Sequence, residues 1–239
     1  MSTSIPHEWL YPPDMEEAKK IQKLLSEKVI SEDRFGSVSL VGGADVSNTP
    51  GPDANQIFSA IVTLGFPNLK LMESAHYADT SDLPYMPGFL GFREAPCLIQ
   101  AFHRLTAKPD LLLVDGHGIS HPRGLGVASH IGVLLDLPTI GVAKSILVGR
   151  IQGELGQEAG ATAPLIHHGK TIGMAVRSKP NTLPLFISTG HRISLDSAVQ
   201  WVLNCVTRYR LPEPTRLAHL ASNQVRKAGE TQQLSFNYS

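Results

Sequence analysis

The chain has 239 residues, 42% of them apolar and 18% charged, with 21 basic and 21 acidic side chains in balance. That supplies one large core and excludes a disordered chain. No apolar run reaches the roughly 18 residues of a membrane-spanning helix, residues 1–14 lack the basic and apolar stretches of a secretory signal, and Cys97 and Cys205 are too few for a disulfide scaffold. The expectation is a cytoplasmic, single-domain protein with both thiols reduced in the core.

Residues 15–29 read as an amphipathic helix with Ala18, Ile21, Leu25 and Val29 on one stripe, and Asp14 with Glu17 spaced as a capping box. Residues 37–47 read as a strand with a glycine pair. A turn-rich loop over 48–56 follows, then two β-like runs, 57–64 and 69–77, joined by GFPN. Together they predict a three-stranded antiparallel meander. After a loop rich in proline, aspartate and glycine, a helix is expected over 93–106, with Leu98, Ile99, Phe102 and Leu105 inward and Pro96 in its first turn. Strand 111–115, buried helix 124–136 and strand 139–144 make a βαβ unit with parallel strands. The runs at 170–176 and 185–188 are further strand candidates. Ser194 is placed to cap a helix to 206, and the polar tail after 217 is expected to be loose. The predicted class is α/β, a mixed sheet flanked by helices.

Charge is unevenly spread. Residues 1–60 carry 5 basic and 9 acidic side chains, whereas residues 141–216 carry 9 and 4. The neutral total argues against a general DNA-coating protein; the basic third allows one polyanion-facing side, though solvated helix faces explain it equally well.

Asp45 interrupts its strand, Asp115 ends the strand LLLV, and Glu94 stands four residues before Leu98 at a helix start. Taken singly, such acids cap turns or complement a helix dipole. In combination they mean more. Asp115 and Lys144 end two strands of one βαβ unit, at the carboxyl edge where open α/β sheets bind ligands. With Asp45 on a neighbouring strand, carboxylates converge that cannot all ionise without a cation. Oxygen ligands suit Mg²⁺ or Mn²⁺, which activate water in phosphodiester cleavage, and Lys144 can steady a phosphate.

The loop 115–126 holds four glycines with His117 and His121. It is neither a Walker A nor a dinucleotide motif. The histidines have a zinc-like spacing, but the surrounding glycines and Pro122 disfavour the helix a zinc pair would need. A glycine-permitted approach to phosphate, with His121 as a polar or acid–base group, fits better. His103 and His130 read as structural. His191 begins the turn before the 194–206 helix. Asp196 is either a further metal-associated acid or a complement to the dipole of that helix. In PYMPG (84–88), Tyr85 sits between prolines that stiffen the loop, as a base-stacking wedge or a member of a local cluster.

The strings GADV (43–46), PYMPGFLGFRE (84–94), VDGHGISHPRGLGVASH (114–130), TIGVAKSIL (139–147), STGHRISLDSA (188–198) and YRLPEPTR (209–216) closely resemble endonuclease V, the deoxyinosine-directed endonuclease family of the ribonuclease H-like fold. The resemblance covers about residues 10–216. It implies a nick at the second phosphodiester 3′ to a deaminated base, leaving a 3′-hydroxyl and a 5′-phosphate, with Mg²⁺ or Mn²⁺ as cofactor. It makes Asp45 and Asp115 metal-binding aspartates, Glu94 a third catalytic and metal-associated carboxylate, and His121 and Lys144 neighbours of the scissile phosphate. Pro84, Tyr85, Met86 and Pro87 match the family's wedge, with Met86 where isoleucine is usual. Gly88 and Leu90 fall where backbone groups surround the extruded base, and Gly116 and Ala143 fall beside that pocket. The implied partner is DNA with deoxyinosine or another deaminated base, with inosine in single-stranded RNA as the alternative, for a protein acting as a monomer away from membranes.

Overall fold

Asp14 opens the first helix, α1 (Met15–Ser26), by accepting the Glu17 N–H at 2.8 Å. The capping box closes only on that side, because the Glu17 carboxylate turns to Lys20 at 3.0 Å. In this computed structural model, which describes residues 5–49, 55–81, 83 and 86–236, with side chains of the last helix described to residue 229, the meander follows as expected. Strands β1 (Leu40–Asn48), β2 (Gln56–Gly65) and β3 (Lys70–Thr80) pair antiparallel.

Helix α2 (Leu90–Arg104) starts three residues before the predicted 93. Pro96 therefore lies in its second turn, where it cannot donate to the Phe92 carbonyl. The βαβ unit is β4 (Leu111–Val114), α3 (Val127–Leu135) and β5 (Thr139–Ala143), with β4 parallel to both β1 and β5. The parallel pairing of β1 with β4 stops at Ala44 and Val114, and β5 ends at Ala143, so Asp45, Asp115 and Lys144 stand just past it on one side, although β1 itself runs on to Asn48 against β2.

Beyond β5 the pairing turns antiparallel. β6 (Arg150–Ile151), β7 (Thr162–His167), β8 (Lys170–Val176) and β9 (Leu185–His191) complete one sheet in the order β3-β2-β1-β4-β5-β9-β8-β7-β6. β6 and β7 are not legible in the sequence. One is two residues long, and the other carries Pro164, which marks a run as a poor strand. Their tight connections lack the crossover helix that a parallel strand needs.

Ser194 caps α4 (Leu195–Asn204) by accepting the Ser197 N–H at 3.2 Å. The largest departure from expectation is α5 (Glu213–Phe236), where a loose tail is predicted from 217. Its inward residues, Leu217, Ala218 and Ala221, are mostly small, so its apolar signal is weak, yet they join the core on one face of the sheet with Val41, Leu113, Val199 and Val202. Helices α2 and α3 cover the other face around Ala44, Leu98, Leu112 and Ile131. Cys97 and Cys205 are free and buried. Among the described residues, no helix is long and apolar enough to cross a membrane.

The glycine pair of β1 explains how α5 docks. A Cβ on Gly43 would stand 2.0 Å from the Pro214 carbonyl oxygen, so only glycine lets the start of α5 lie against the strand. Gly43→Ala should cost about 1–3 kcal/mol through overpacking, read as a lower urea midpoint; an unchanged midpoint would contradict this packing.

Candidate active site

The Asp115 N–H donates to the Ala44 carbonyl at 2.9 Å, so the first residue past β4 is held next to Asp45 on β1. Asp45 is buried and Asp115 nearly so. Lys144, the first residue past β5, donates from Nζ to Asp115 Oδ2. Glu94, buried in the first turns of α2, approaches from the face opposite α5. Burial, reinforced by the charge of Asp115, raises the Asp45 carboxyl to about 7. Burial, with the charges of Asp45 and Asp115 behind it, raises Glu94 to about 8. The structure therefore brings Glu94 within electrostatic reach of Asp45 and Asp115 and sets Lys144 on Asp115, but Glu94, expected as a third metal-associated carboxylate, is not among the residues whose ligand atoms meet.

It adds His219 from α5. Ligand atoms of Asp45, Asp115 and His219 all lie within 4.8 Å of one another. His219 Nδ1 is buried without a hydrogen-bond partner, 3.3 Å from Asp45 Oδ2. An orphaned ring nitrogen between two carboxylates fits a cation, and burial lowers the His219 pKa, favouring the neutral, ligating form. The sequence reading passes over His219 because it lies in the segment taken for a tail. The signal available was a polar stripe at helical spacing, His219, Ser222, Asn223 and Arg226.

A cavity of about 160 Å³ opens beside these groups, lined by Gly88, Leu90, Gly116, His117, Val127 and Leu147 among others. Pro87 also reaches it, whereas Met86 lines a neighbouring apolar cavity with Phe89 and Phe92. Ala143, expected beside the pocket, does not line this cavity; it packs against Ala175 and Phe186. Pro84 and Tyr85 lie outside the described residues.

Gly88, at φ +81°, is held by three side chains that point at its carbonyl: Gln22 Nε2 at 2.9 Å, His121 Nε2 at 3.1 Å and Arg123 Nη2 at 2.5 Å. His121 Nδ1 accepts the Arg123 backbone N–H at 3.2 Å, so its proton sits on Nε2. Both ring nitrogens are satisfied within the protein, and burial lowers His121 to about 4. His121 is thus a neutral donor to the pocket rim. His117 instead meets the Ser145 carbonyl at 3.0 Å, so the two histidines turn to different partners.

His191 and Asp196 are not brought to the acid cluster. His191 pairs in register with Thr139, at the start of β5, whereas the acids stand beyond its end. Its Nδ1 accepts the Ile30 N–H at 3.3 Å and its Nε2 faces Asp136 at 3.4 Å. Asp196 is exposed in the first turn of α4, where it complements the helix dipole.

A mixed sheet with acids at the shared edge of its parallel strands defines a nuclease of the ribonuclease H-like class. Residues 23–220 match the family model for endonuclease V. The endonuclease V of Rhodospirillum centenum is 50% identical over 224 residues, 94% of this chain and 93% of that protein. That of Gloeobacter violaceus is 47% identical over 222 residues, 93% and 89% of the two chains. The crystal structure of Streptomyces avermitilis endonuclease V aligns with a TM-score of 0.85 at 36% identity, covering 94% of this chain and 98% of that one. Ciona intestinalis endonuclease V, in complex with a 24mer DNA containing an inosine followed by a ribo-adenosine, aligns at 0.76 with 30% identity, covering 89% and 98%. The chain belongs to the endonuclease V family, and it is an endonuclease.

The raised carboxyls predict a pH dependence. In metal-free protein, Asp45 and Glu94 keep protons that the unfolded chain gives up at their ordinary values of 3.8 and 4.5. Their contribution to stability is full below those values and is lost as pH rises through about 7 and 8. The melting temperature in EDTA should therefore fall from pH 6 to pH 9, by less in Glu94→Gln. A wild-type melting temperature that stays level or rises over that range would contradict the assignment.

Proposed function

We propose that this protein is a divalent-metal-dependent DNA repair endonuclease that nicks at the second phosphodiester bond 3′ to deoxyinosine, leaving a 3′-hydroxyl and a 5′-phosphate. The observation that carries this reading is the convergence of Asp45 from β1, Asp115 from the end of β4 and His219 from α5, with ligand atoms within 4.8 Å of one another. The Ciona relative, in complex with inosine-containing DNA, supports the substrate class.

Asp45, Asp115 and His219 would hold the cation, with Mg²⁺ the resident ion and Mn²⁺ able to replace it. When bound, such an ion activates water and offsets charge on the phosphate in phosphodiester hydrolysis. Glu94, on the opposite face of the cluster from His219, is the group we assign to take the proton of the attacking water. Lys144 orients Asp115 and adds a point charge for the phosphate.

The cavity beside Gly88, Leu90 and Gly116 receives the extruded base, whose edges meet backbone groups. Extrusion costs a few kcal/mol, least at a weakly paired lesion. Gln22, His121 and Arg123 keep the Gly88 carbonyl in place as the base enters. Tyr85, between Pro84 and Met86, fills the gap left in the duplex. We place the reaction in the cytoplasm, carried out by a monomer of one domain.

A denaturing gel with a labelled duplex holding one deoxyinosine tests the proposal. A single nick one nucleotide beyond the lesion, present with Mg²⁺ and absent with EDTA, is expected. Cutting confined to inosine in single-stranded RNA, or no cutting of either, would overturn it. Asp45→Ala and Asp115→Ala should each lower cutting by at least about a hundredfold, as expected when the metal's activation of water is lost, while lesion binding in Ca²⁺ persists. Near wild-type cutting by either would sink the metal assignment. Tyr85→Ala should narrow the preference for lesion over normal duplex with the melting temperature unchanged; an undiminished preference would count against the wedge.

A further inference from the structure

We propose that Ser222 is a positioning residue for the cation site: its hydroxyl pins the Asp45 carboxylate in the orientation that faces Asp115 and His219. This rests on the metal-site reading above.

Ser222 lies inside α5 and is fully buried. Its Oγ stands 2.5 Å from Asp45 Oδ2 and 3.1 Å from the His219 carbonyl. The hydroxyl has one proton to give. A serine within a helix commonly spends it on a carbonyl one turn back, but here the carboxylate is the nearer and stronger acceptor. An apolar residue at this position would strengthen the α5–β1 contact. The hydroxyl therefore has a use that packing does not explain.

The neighbouring contacts extend the same seam. Asp45 and Ser47, two residues apart on β1, point to the same side of the sheet. Facing them along α5 are His219, Ser222, Asn223 and Arg226. Asn223 Nδ2 donates to the His219 carbonyl at 2.8 Å and stands 3.3 Å from His219 Nε2. Asn223 Oδ1 accepts from Ser47 Oγ at 3.2 Å, and Arg226 Nε donates to Ser47 Oγ at 2.9 Å. The helix is thus locked to the strand on the C-terminal side of the site, while Ser222 acts on the ligand itself. Without its hydroxyl, the Asp45 carboxylate gains freedom that a cation must remove on binding. Hydrogen bonds of this kind, one step removed from the metal, typically change affinity by about 10- to 100-fold.

The test counts Mn²⁺ bound to the full chain, from the electron paramagnetic resonance signal of free Mn²⁺, without nucleic acid. Wild type is compared with Ser222→Ala, Ser222→Cys and Ser222→Thr, and each is melted in EDTA. Ser222→Ala and Ser222→Cys should bind Mn²⁺ about 10- to 100-fold more weakly. Ser222→Thr, which keeps the hydroxyl, should bind within a few fold of wild type. Melting temperatures in EDTA should not track these affinities. Should the alanine variant fail to fold, the volume-conserving cysteine variant decides. Wild-type Mn²⁺ affinity in Ser222→Cys, or a fall in melting temperature with affinity unchanged, would overturn the positioning role and leave the metal site standing. If wild type itself binds no Mn²⁺, the metal-site reading fails first and takes this inference with it.

Discussion

Like charges held out of water at one edge of a sheet are the constraint on which this molecule turns. Asp45, Glu94 and Asp115 meet where solvent cannot screen them, and burial is the largest cause of the raised pKa values of Asp45 and Glu94. Such a cluster costs stability unless a proton or a cation sits in it. The fold supplies Lys144 against Asp115, a hydroxyl against Asp45 and a neutral imidazole from His219, while leaving one buried ring nitrogen unsatisfied. A site assembled in this way is arranged for a cation rather than for maximal stability.

The architecture follows from that need. Parallel pairing sets Asp45, one residue past Ala44 in β1, beside Asp115, one residue past Val114 in β4, and leaves Lys144 past the end of β5 on the same side. Helices then approach from both faces. α2 brings Glu94 from one, and α5 brings His219 and Ser222 from the other. Gly43 in β1 admits α5 at backbone distance. The cavity beside the acids is built differently. Its rim carbonyl at Gly88 is gripped by side chains from α1 and from the glycine-rich loop, which fixes that stretch of backbone.

Much of this is readable from residues alone, and the exceptions have physical causes. The meander and the βαβ unit carry strong periodic signals, so Asp115 and Lys144 can be placed on one edge before any coordinates; Asp45 joins them only once β1 is known to pair with β4. Glu94 is legible as a helix-start acid, but its closeness to the other two is a tertiary fact. α5 escapes notice because its contacts are made by Ala218, Ala221 and Ser222, small residues that contribute little to a hydrophobic pattern. His219 goes with it. His121 reads as a group for the phosphate, yet its tautomer is fixed by Gly88 and Arg123, which only the folded loop brings within reach. His191 has a suggestive place in the sequence, next to a turn and a helix start, but strand pairing carries it to the far end of β5.

Anomalous scattering from crystals of the protein grown with Mn²⁺ shows whether the acid cluster and His219 hold one cation. A peak is expected at about 2.1 Å from carboxylate oxygens of Asp45 and Asp115, within reach of His219 Nδ1. Well-ordered Asp45 and Asp115 side chains with no peak between them, or Mn²⁺ bound only elsewhere on the surface, would contradict it.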